Sequence, residues 1–128
     1  MVLQMKIEFI IPAYSRTNHL ITIIGSLMAQ TNPNWIAHIV VDCPPIESIN
    51  RIKQIEKFFN DPRLTFTYLD ERYNDWGHTP RNIGLEKATE EWVVMTGEDN
   101  YYAPVFVNEF LKGLEKDVVF VVIWCITG

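Results

Sequence analysis

Trp92-Val93-Val94-Met95-Thr96-Gly97-Glu98-Asp99-Asn100-Tyr101-Tyr102-Ala103-Pro104 is the stretch that decides how this chain is read. It opens as a short apolar run with β-branched residues, the pattern of a buried strand, and it stops at Gly97. Two adjacent carboxylates follow, then an amide and two aromatics, and Pro104 stands where a helix would begin. In an open α/β sheet, ligands bind outside the carboxyl ends of the strands. Glu98 and Asp99 would stand at that edge, where hard oxygen ligands can hold Mg²⁺ or Mn²⁺ against a diphosphate. A Glu-Asp pair taken alone reads more simply as a solvated acidic turn, so the rest of the chain has to decide.

Working outward, strand and helix patterns alternate. Lys6 to Ile11 is an apolar run expected to end as a strand at Pro12, where a backbone N–H is lost. Leu20, Ile23, Ile24, Leu27 and Met28 recur at helical spacing to about Gln30, with Ser15, Thr17 and Asn18 as candidate caps. Trp35 to Val41 reads as a second strand, and Ile46 to about Asn60 as a second helix broken by Asp61-Pro62. Leu64 to Leu69 alternates as a third strand, with Leu64, Phe66 and Tyr68 on one face. After a polar loop from Asp70 to His78, Thr79-Pro80 reads as an N-cap and first helical residue of a helix ending near Glu90. A fourth helix follows Pro104, marked by Phe106, Phe110, Leu111 and Leu114, and Val118 to Ile126 reads as a last strand. The alternation predicts an α/β fold, a mostly parallel sheet with right-handed crossovers and helices on both faces, in one domain over residues 1–128.

That topology brings four loops to one sheet edge: residues 12–16, 42–45, 70–78 and 97–103. The first holds Tyr14, whose ring can stack on a base, and Arg16, which can meet phosphate. The other reading makes Tyr14 a packing residue and Arg16 a solvated charge. Asp42 ends the second strand; its carboxylate can accept the imide N–H of uracil or the N–H edge of guanine, or serve as a turn acceptor or helix cap. Gly77 permits close backbone approach, and Arg81 and Asn82 fall in the first turn of the third helix, whose N-terminus favours a phosphate. Neither G-x-G-x-x-G after the first strand nor G-x-x-x-x-G-K-[ST] occurs, and G-x-S-x-G and H-E-x-x-H are absent.

Composition narrows the partners. The 128 residues are 48% hydrophobic and 21% charged, within the range of a globular domain. A formal charge of −5 with no Lys/Arg cluster excludes a basic nucleic-acid surface and gives a membrane surface no support. Cys43 and Cys125 are in no metal-ligand spacing and read as buried free thiols in a reducing compartment. Met1 to Lys6 lacks a signal peptide's apolar region, and Val118 to Ile126 is too short for a membrane span, so the expected location is cytoplasmic.

The ordered motifs resemble family 2 glycosyltransferases with the GT-A, Rossmann-like three-layer fold. Ile10-Ile11-Pro12-Ala13-Tyr14-Ser15-Arg16, Ala29-Gln30-Thr31 and Val40-Val41-Asp42 resemble the family's start. Gly77 with Arg81-Asn82-Ile83-Gly84 resembles its glycine and Arg-Asn-x-Gly segment, and Gly97-Glu98-Asp99-Asn100 with Pro104 its metal-binding DXD region. The resemblance implies sugar transfer, with inversion, from a nucleoside diphosphate sugar (most simply a UDP-sugar) to an unknown acceptor, with Mn²⁺ or Mg²⁺. It implies strand order 3-2-1-4. Pro12, Ala13, Tyr14 and Asp42 would hold the nucleoside, Arg81 would lie near the diphosphate, and Asp99 would bind metal with Glu98 beside it. Cys43-Pro44-Pro45 stands where the family often has a second Asp and small residues, and Gly97-Glu98-Asp99 keeps only the last carboxylate as Asp. The family's catalytic base comes from an acceptor-binding half that no residue here matches. The chain by itself is therefore expected to bind donor and to transfer sugar slowly or not at all, a partner chain or further half supplying the base. The alternative is a catalytically incomplete binding or assembly module.

Overall fold

A computed structural model describes residues 5–96 and 101–115. Its elements are β1 (Ile7–Ala13), α1 (Thr17–Met28), β2 (Trp35–Val41), α2 (Ile46–Phe59), β3 (Leu64–Tyr68), α3 (His78–Glu86), β4 (Trp92–Met95) and α4 (Phe106–Glu115). The four strands form one parallel sheet in the order β3-β2-β1-β4. The strand expected at Val118–Ile126, Cys125, and Gly97 to Asn100 with the candidate ligands Glu98 and Asp99 lie outside the described residues.

The sheet separates two unlike layers. Ile7, Phe9 and Ile11 of β1 and Trp35, Ala37, Ile39 and Val41 of β2 face a core shared with Leu20, Ile23, Ile24 and Leu27 of α1, Ile52 and Ile55 of α2, and Val107 of α4. Leu64, Phe66 and Tyr68 pack against the same core, as their alternation predicts. The opposite face carries Glu8, Ile10, His38 and Val40, and among the described residues α3 is the helix that covers it. Gly84 makes that contact possible: a Cβ there would stand 2.5 Å from Ile10 Cγ2 and 3.4 Å from Val40 Cγ2.

Two buried polar groups on this face are hydrogen-bonded, one to the α3–β4 connection and one to the neighbouring strand. The Glu8 carboxylate accepts the N–H groups of Thr89 (2.9 Å) and Glu90 (3.1 Å), fixing the passage from α3 to β4. His38 Nε2 lies 2.7 Å from Thr67 Oγ1. Burial, and then the Lys87 charge, hold the His38 pKa below its ordinary value, with Glu8 acting in the opposite sense.

The local signals differ from expectation in three places. β1 does not stop at Pro12 but runs through it to Ala13, with Pro12 in register with Val40. Successive strand residues turn their peptide groups to alternate sides. The Ile10 carbonyl accepts the Thr96 N–H at 3.1 Å on the β4 side. Pro12 turns its nitrogen to that same side, so the N–H it lacks falls where the β1–β4 ladder stops, while its pairing with β2 continues. The N-terminus of α1 has Arg16 as its cap residue and no side-chain cap bond. Asn18 instead accepts from Arg51 Nη2 at 3.2 Å. Finally, α3 starts at His78, with Gly77 as its cap, and ends at Glu86 rather than near Glu90. Thr79 is held rather than holding: its N–H lies 3.1 Å from the Asp75 carboxylate, and its hydroxyl donates to that same group.

Two measurements check this layer. Gly84→Ala forces α3 off the sheet and is expected to cost about 1–3 kcal/mol. Gly25→Ala, mid-helix in α1 with nothing within 4 Å of the added Cβ, is expected to gain about 0.5–1 kcal/mol; thermal melts of the pair give opposite shifts. The unfolded chain takes up the His38 proton near 6.5 while the folded chain resists it. The His38 contribution therefore favours the fold above that value and is lost as pH falls below it. His38→Gln, which keeps a partner for Thr67, is expected to flatten the fall in melting temperature between about pH 7 and 5.

Candidate functional site

Because all four strands are parallel, their carboxyl ends share one edge. Strand-like pairing continues just past them: Asp42 N–H to the Ala13 carbonyl at 2.8 Å, and Leu69 N–H to the Val41 carbonyl at 2.9 Å. The loop from Leu69 to Gly77 therefore starts beside β2 and folds back across the edge.

Asp42 holds that loop. The residue is buried, and its Oδ1 accepts the Tyr73 N–H at 3.0 Å while Oδ2 accepts the Asn74 N–H at 3.3 Å. A buried carboxylate needs such donors, and a charged acceptor bonds amides more strongly than a neutral one. Each oxygen keeps acceptor capacity beyond one amide. Asp42 is thus a turn acceptor with lone pairs to spare, which joins the two readings the sequence left open.

The loop brings two groups together. In the first, the Arg72 guanidinium lies over the Tyr14 ring, Cζ 3.7 Å from its centroid. The half-buried ring and an exposed Arg form one π surface beside Asp42. Nothing in the sequence spacing of Tyr14 and Arg72 announces the contact. In the second group, Gly77 has φ 82° and sits against Pro12 and Arg81; a Cβ on it would be 3.2 Å from Pro12 Cγ and 3.1 Å from Arg81 Nη1. Arg81 Nη1 also donates to the Trp76 carbonyl at 2.9 Å. Asn74 and Trp76 take positive φ values of 52° and 62°, so three of four successive residues are left-handed.

The expected sites fall accordingly. Pro12 and Ala13 are buried at the end of β1 rather than in a loop, Ala13 on the core face and Pro12 under Gly77. Tyr14 and Asp42 face the 70–78 loop through Arg72 and the Tyr73 and Asn74 amides. Arg16 is exposed at the start of α1. The N-terminus of α3, expected to favour a phosphate, already holds the Asp75 carboxylate. The Thr79 hydrogen bonds keep Asp75 below the usual carboxylate range and so ionised at neutral pH. Positive charge at this edge comes instead from the side chains of Arg16, Arg72 and Arg81.

On the β4 side, the segment after Asn100 is pinned to α1. Ser26 Oγ accepts the Tyr102 N–H (3.2 Å), Gln30 Nε2 donates to the Ala103 carbonyl (2.7 Å), and Gln30 Oε1 accepts the Val107 N–H (3.0 Å). The Thr31 N–H donates to the Pro104 carbonyl at 2.8 Å. The Tyr102 ring packs edge-on against Phe9, centroids 4.8 Å apart. Burial pushes its hydroxyl up to about 12, against a hydrogen bond with Thr96. Residues 97–100 are thus joined to fixed backbone at both ends. Among the described residues no cluster of three His, Cys, Asp or Glu exists that could hold a metal ion. No helix among them is long and apolar enough to cross a membrane.

Residues 8–127 match the family model for glycosyl transferase family 2. TuaG of Bacillus subtilis, provisionally assigned as a teichuronic acid biosynthesis glycosyltransferase, is 29% identical over 94 residues, covering 73% of this chain and 36% of TuaG. The poly(ribitol-phosphate) beta-N-acetylglucosaminyltransferase TarS of Staphylococcus aureus is 28% identical over 99 residues, 76% of this chain and 17% of TarS. The TarS 1–349 structure in complex with UDP-GlcNAc superposes with a TM-score of 0.76 at 23% identity, over 88% of this chain and 32% of that one. The mannosyltransferase PcManGT of Pyrobaculum calidifontis, in complex with GDP-Man and Mn²⁺, superposes with a TM-score of 0.65 at 19% identity, over 76% of this chain and 28% of that one. These superpositions show a shared GT-A fold. The chain spans between 17% and 36% of the length of these relatives. With the family's model matched from β1 onward in the order β3-β2-β1-β4, the chain belongs to glycosyl transferase family 2.

Proposed function

We propose that this chain binds a nucleoside diphosphate sugar, specifically a UDP-sugar, as the donor-binding part of an inverting glycosyltransferase. The observation that carries the reading is the fold-back of the 70–78 loop. It brings Arg72 over the Tyr14 ring and the Tyr73 and Asn74 amides onto Asp42, and it lays Gly77 against Pro12 and Arg81. The first group suits a pyrimidine: a stacking surface, and a carboxylate able to accept an imide N–H. The second offers a cation beside a glycine that lets a ligand approach the backbone. The TarS structures in complex with UDP and UDP-GlcNAc support the choice of nucleoside.

Asp99 is the proposed metal ligand, with Glu98 beside it, in a stretch tethered to Thr96 on one side and to Tyr102 on the other. Mn²⁺ or Mg²⁺ bound there would neutralise the diphosphate leaving group. The chain's own residues bind the nucleoside, set its depth against Pro12, and hold the segment around Tyr102 and Ala103 in place through Ser26 and Gln30.

Calorimetry with UDP, GDP and dTDP, each with Mn²⁺, tests the proposal; UDP is expected to bind and the other two to bind at least about tenfold more weakly, a difference of about 1.4 kcal/mol. Asp42→Asn replaces one amide acceptor with a donor and is expected to weaken UDP binding and to speed amide exchange at Tyr73 and Asn74. Asp99→Asn is expected to remove the Mn²⁺ dependence of binding with little change in melting temperature. No heat with any of the three nucleotides would favour an assembly module that keeps the fold without the ligand.

A further inference from the structure

Trp76 is 91% exposed, the most exposed large hydrophobic side chain among the described residues. Its backbone is nevertheless fixed. The Asn74 N–H is held by Asp42, Asp75 is held by Thr79, the Trp76 carbonyl is held by Arg81, and Gly77 lies against Pro12. Its φ of 62° is left-handed, a conformation that costs a bulky aromatic residue and persists only where the surroundings impose it. Phe58, 80% exposed on α2, makes a useful contrast: it sits in ordinary helical backbone and its ring packs edge-on against Phe59 at 5.2 Å. Trp76 has no ring partner among the described residues. The fold thus holds an indole out at the carboxyl edge with its backbone anchored on both sides.

We infer that the Trp76 indole stacks on the sugar ring of the nucleoside diphosphate sugar, setting the protein's preference for the sugar over the bare nucleotide. The inference rests on the UDP-sugar reading. In the order β3-β2-β1-β4, the chain reverses direction across the sheet between β1 and β4, and such a switch point is where α/β folds take ligands. Tyr14 and Asp42 hold the nucleoside on the β2 side of β1. Gly77 lies against Pro12 and Arg81, and Arg81 Nη1 holds the Trp76 carbonyl, so Trp76 stands beside the cation proposed for the diphosphate. A donor anchored by its base at Tyr14 and Asp42 and by its diphosphate at Arg81 carries its sugar to Trp76. An indole suits this role: its apolar face meets the C–H face of a pyranose, while the sugar's hydroxyls remain free for polar partners. Tyr73 (43% exposed) and Tyr101 (65%) rim the same edge from the loops after β3 and β4.

The test compares Trp76→Gly and Trp76→Phe with the native chain, titrating each with UDP, UDP-GlcNAc, UDP-glucose and UDP-galactose in the presence of Mn²⁺. Trp76→Gly relieves the left-handed backbone, so its melting temperature is expected to rise, which removes misfolding as an explanation. Its affinity for at least one UDP-sugar is expected to fall about tenfold relative to its affinity for UDP, with Trp76→Phe in between. An equal loss for UDP and every UDP-sugar, or no loss at all, would overturn the inference and leave UDP binding standing. A native chain that binds none of the four would overturn the UDP-sugar reading itself, and this inference with it.

Discussion

The carboxylate of Asp42 is the contact on which the functional edge depends. It ends a strand buried along nearly its whole length and sits where water is largely excluded, so its charge must be met by donors. The donors are two successive backbone amides from a loop that follows a different strand. Everything placed by that loop follows from this bond pair. Arg72 reaches Tyr14, Asp75 reaches the first turn of α3, and Gly77 settles on Pro12. The sheet beneath does not need Asp42, since the core of β1, β2, α1 and α2 is closed by apolar packing alone. Asp42 therefore links fold to site: a cheap position for a carboxylate if the loop is closed, and an expensive one if it is open.

The sheet's shape sets where this is possible. β1 is buried along its whole length, with β2 beside all of it and helices over both faces. β4 pairs with only its first half, from Ile7 to Ile10. The second half of β1, from Ile11 to Ala13, is left with β2 on one side and no strand on the other among the described residues. Pro12 exploits that gap, and Gly77 fills it from above. On the far side, Ser26 and Gln30 of the α1 end take up the polar groups of Tyr102, Ala103 and Val107. The backbone on each side of residues 97–100 is thus fixed by ordinary structural bonds.

Much of this was legible in the sequence. The β-branched runs and the helical recurrences gave element types and order, because a two-layered covering of a parallel sheet leaves a strong apolar signature. The ordered motifs from Ile10 to Pro104 gave the family. The misses have local causes. Pro12 reads as a strand end only if one assumes a neighbour on the side its nitrogen faces. Thr79 reads as a cap until Asp75, four residues earlier, is seen to take its amide. The partners of Asp42 and Tyr14 come from a loop distant in sequence, and no spacing rule reaches them. Gly84 was legible as part of a motif but not as the position where α3 touches Ile10. The exposure of Trp76 is not legible in the sequence, since a tryptophan beside a glycine can as easily cover a core.

The most direct test of the account is amide chemical-shift mapping of the chain on addition of UDP with Mg²⁺, a diamagnetic ion. The account predicts shifts concentrated at residues 12–16, 42–43 and 72–81, with little change on α2. Shifts confined to the groove between α1 and α2 lined by Ile21, Arg51 and Phe58, or no shifts at all, would contradict it.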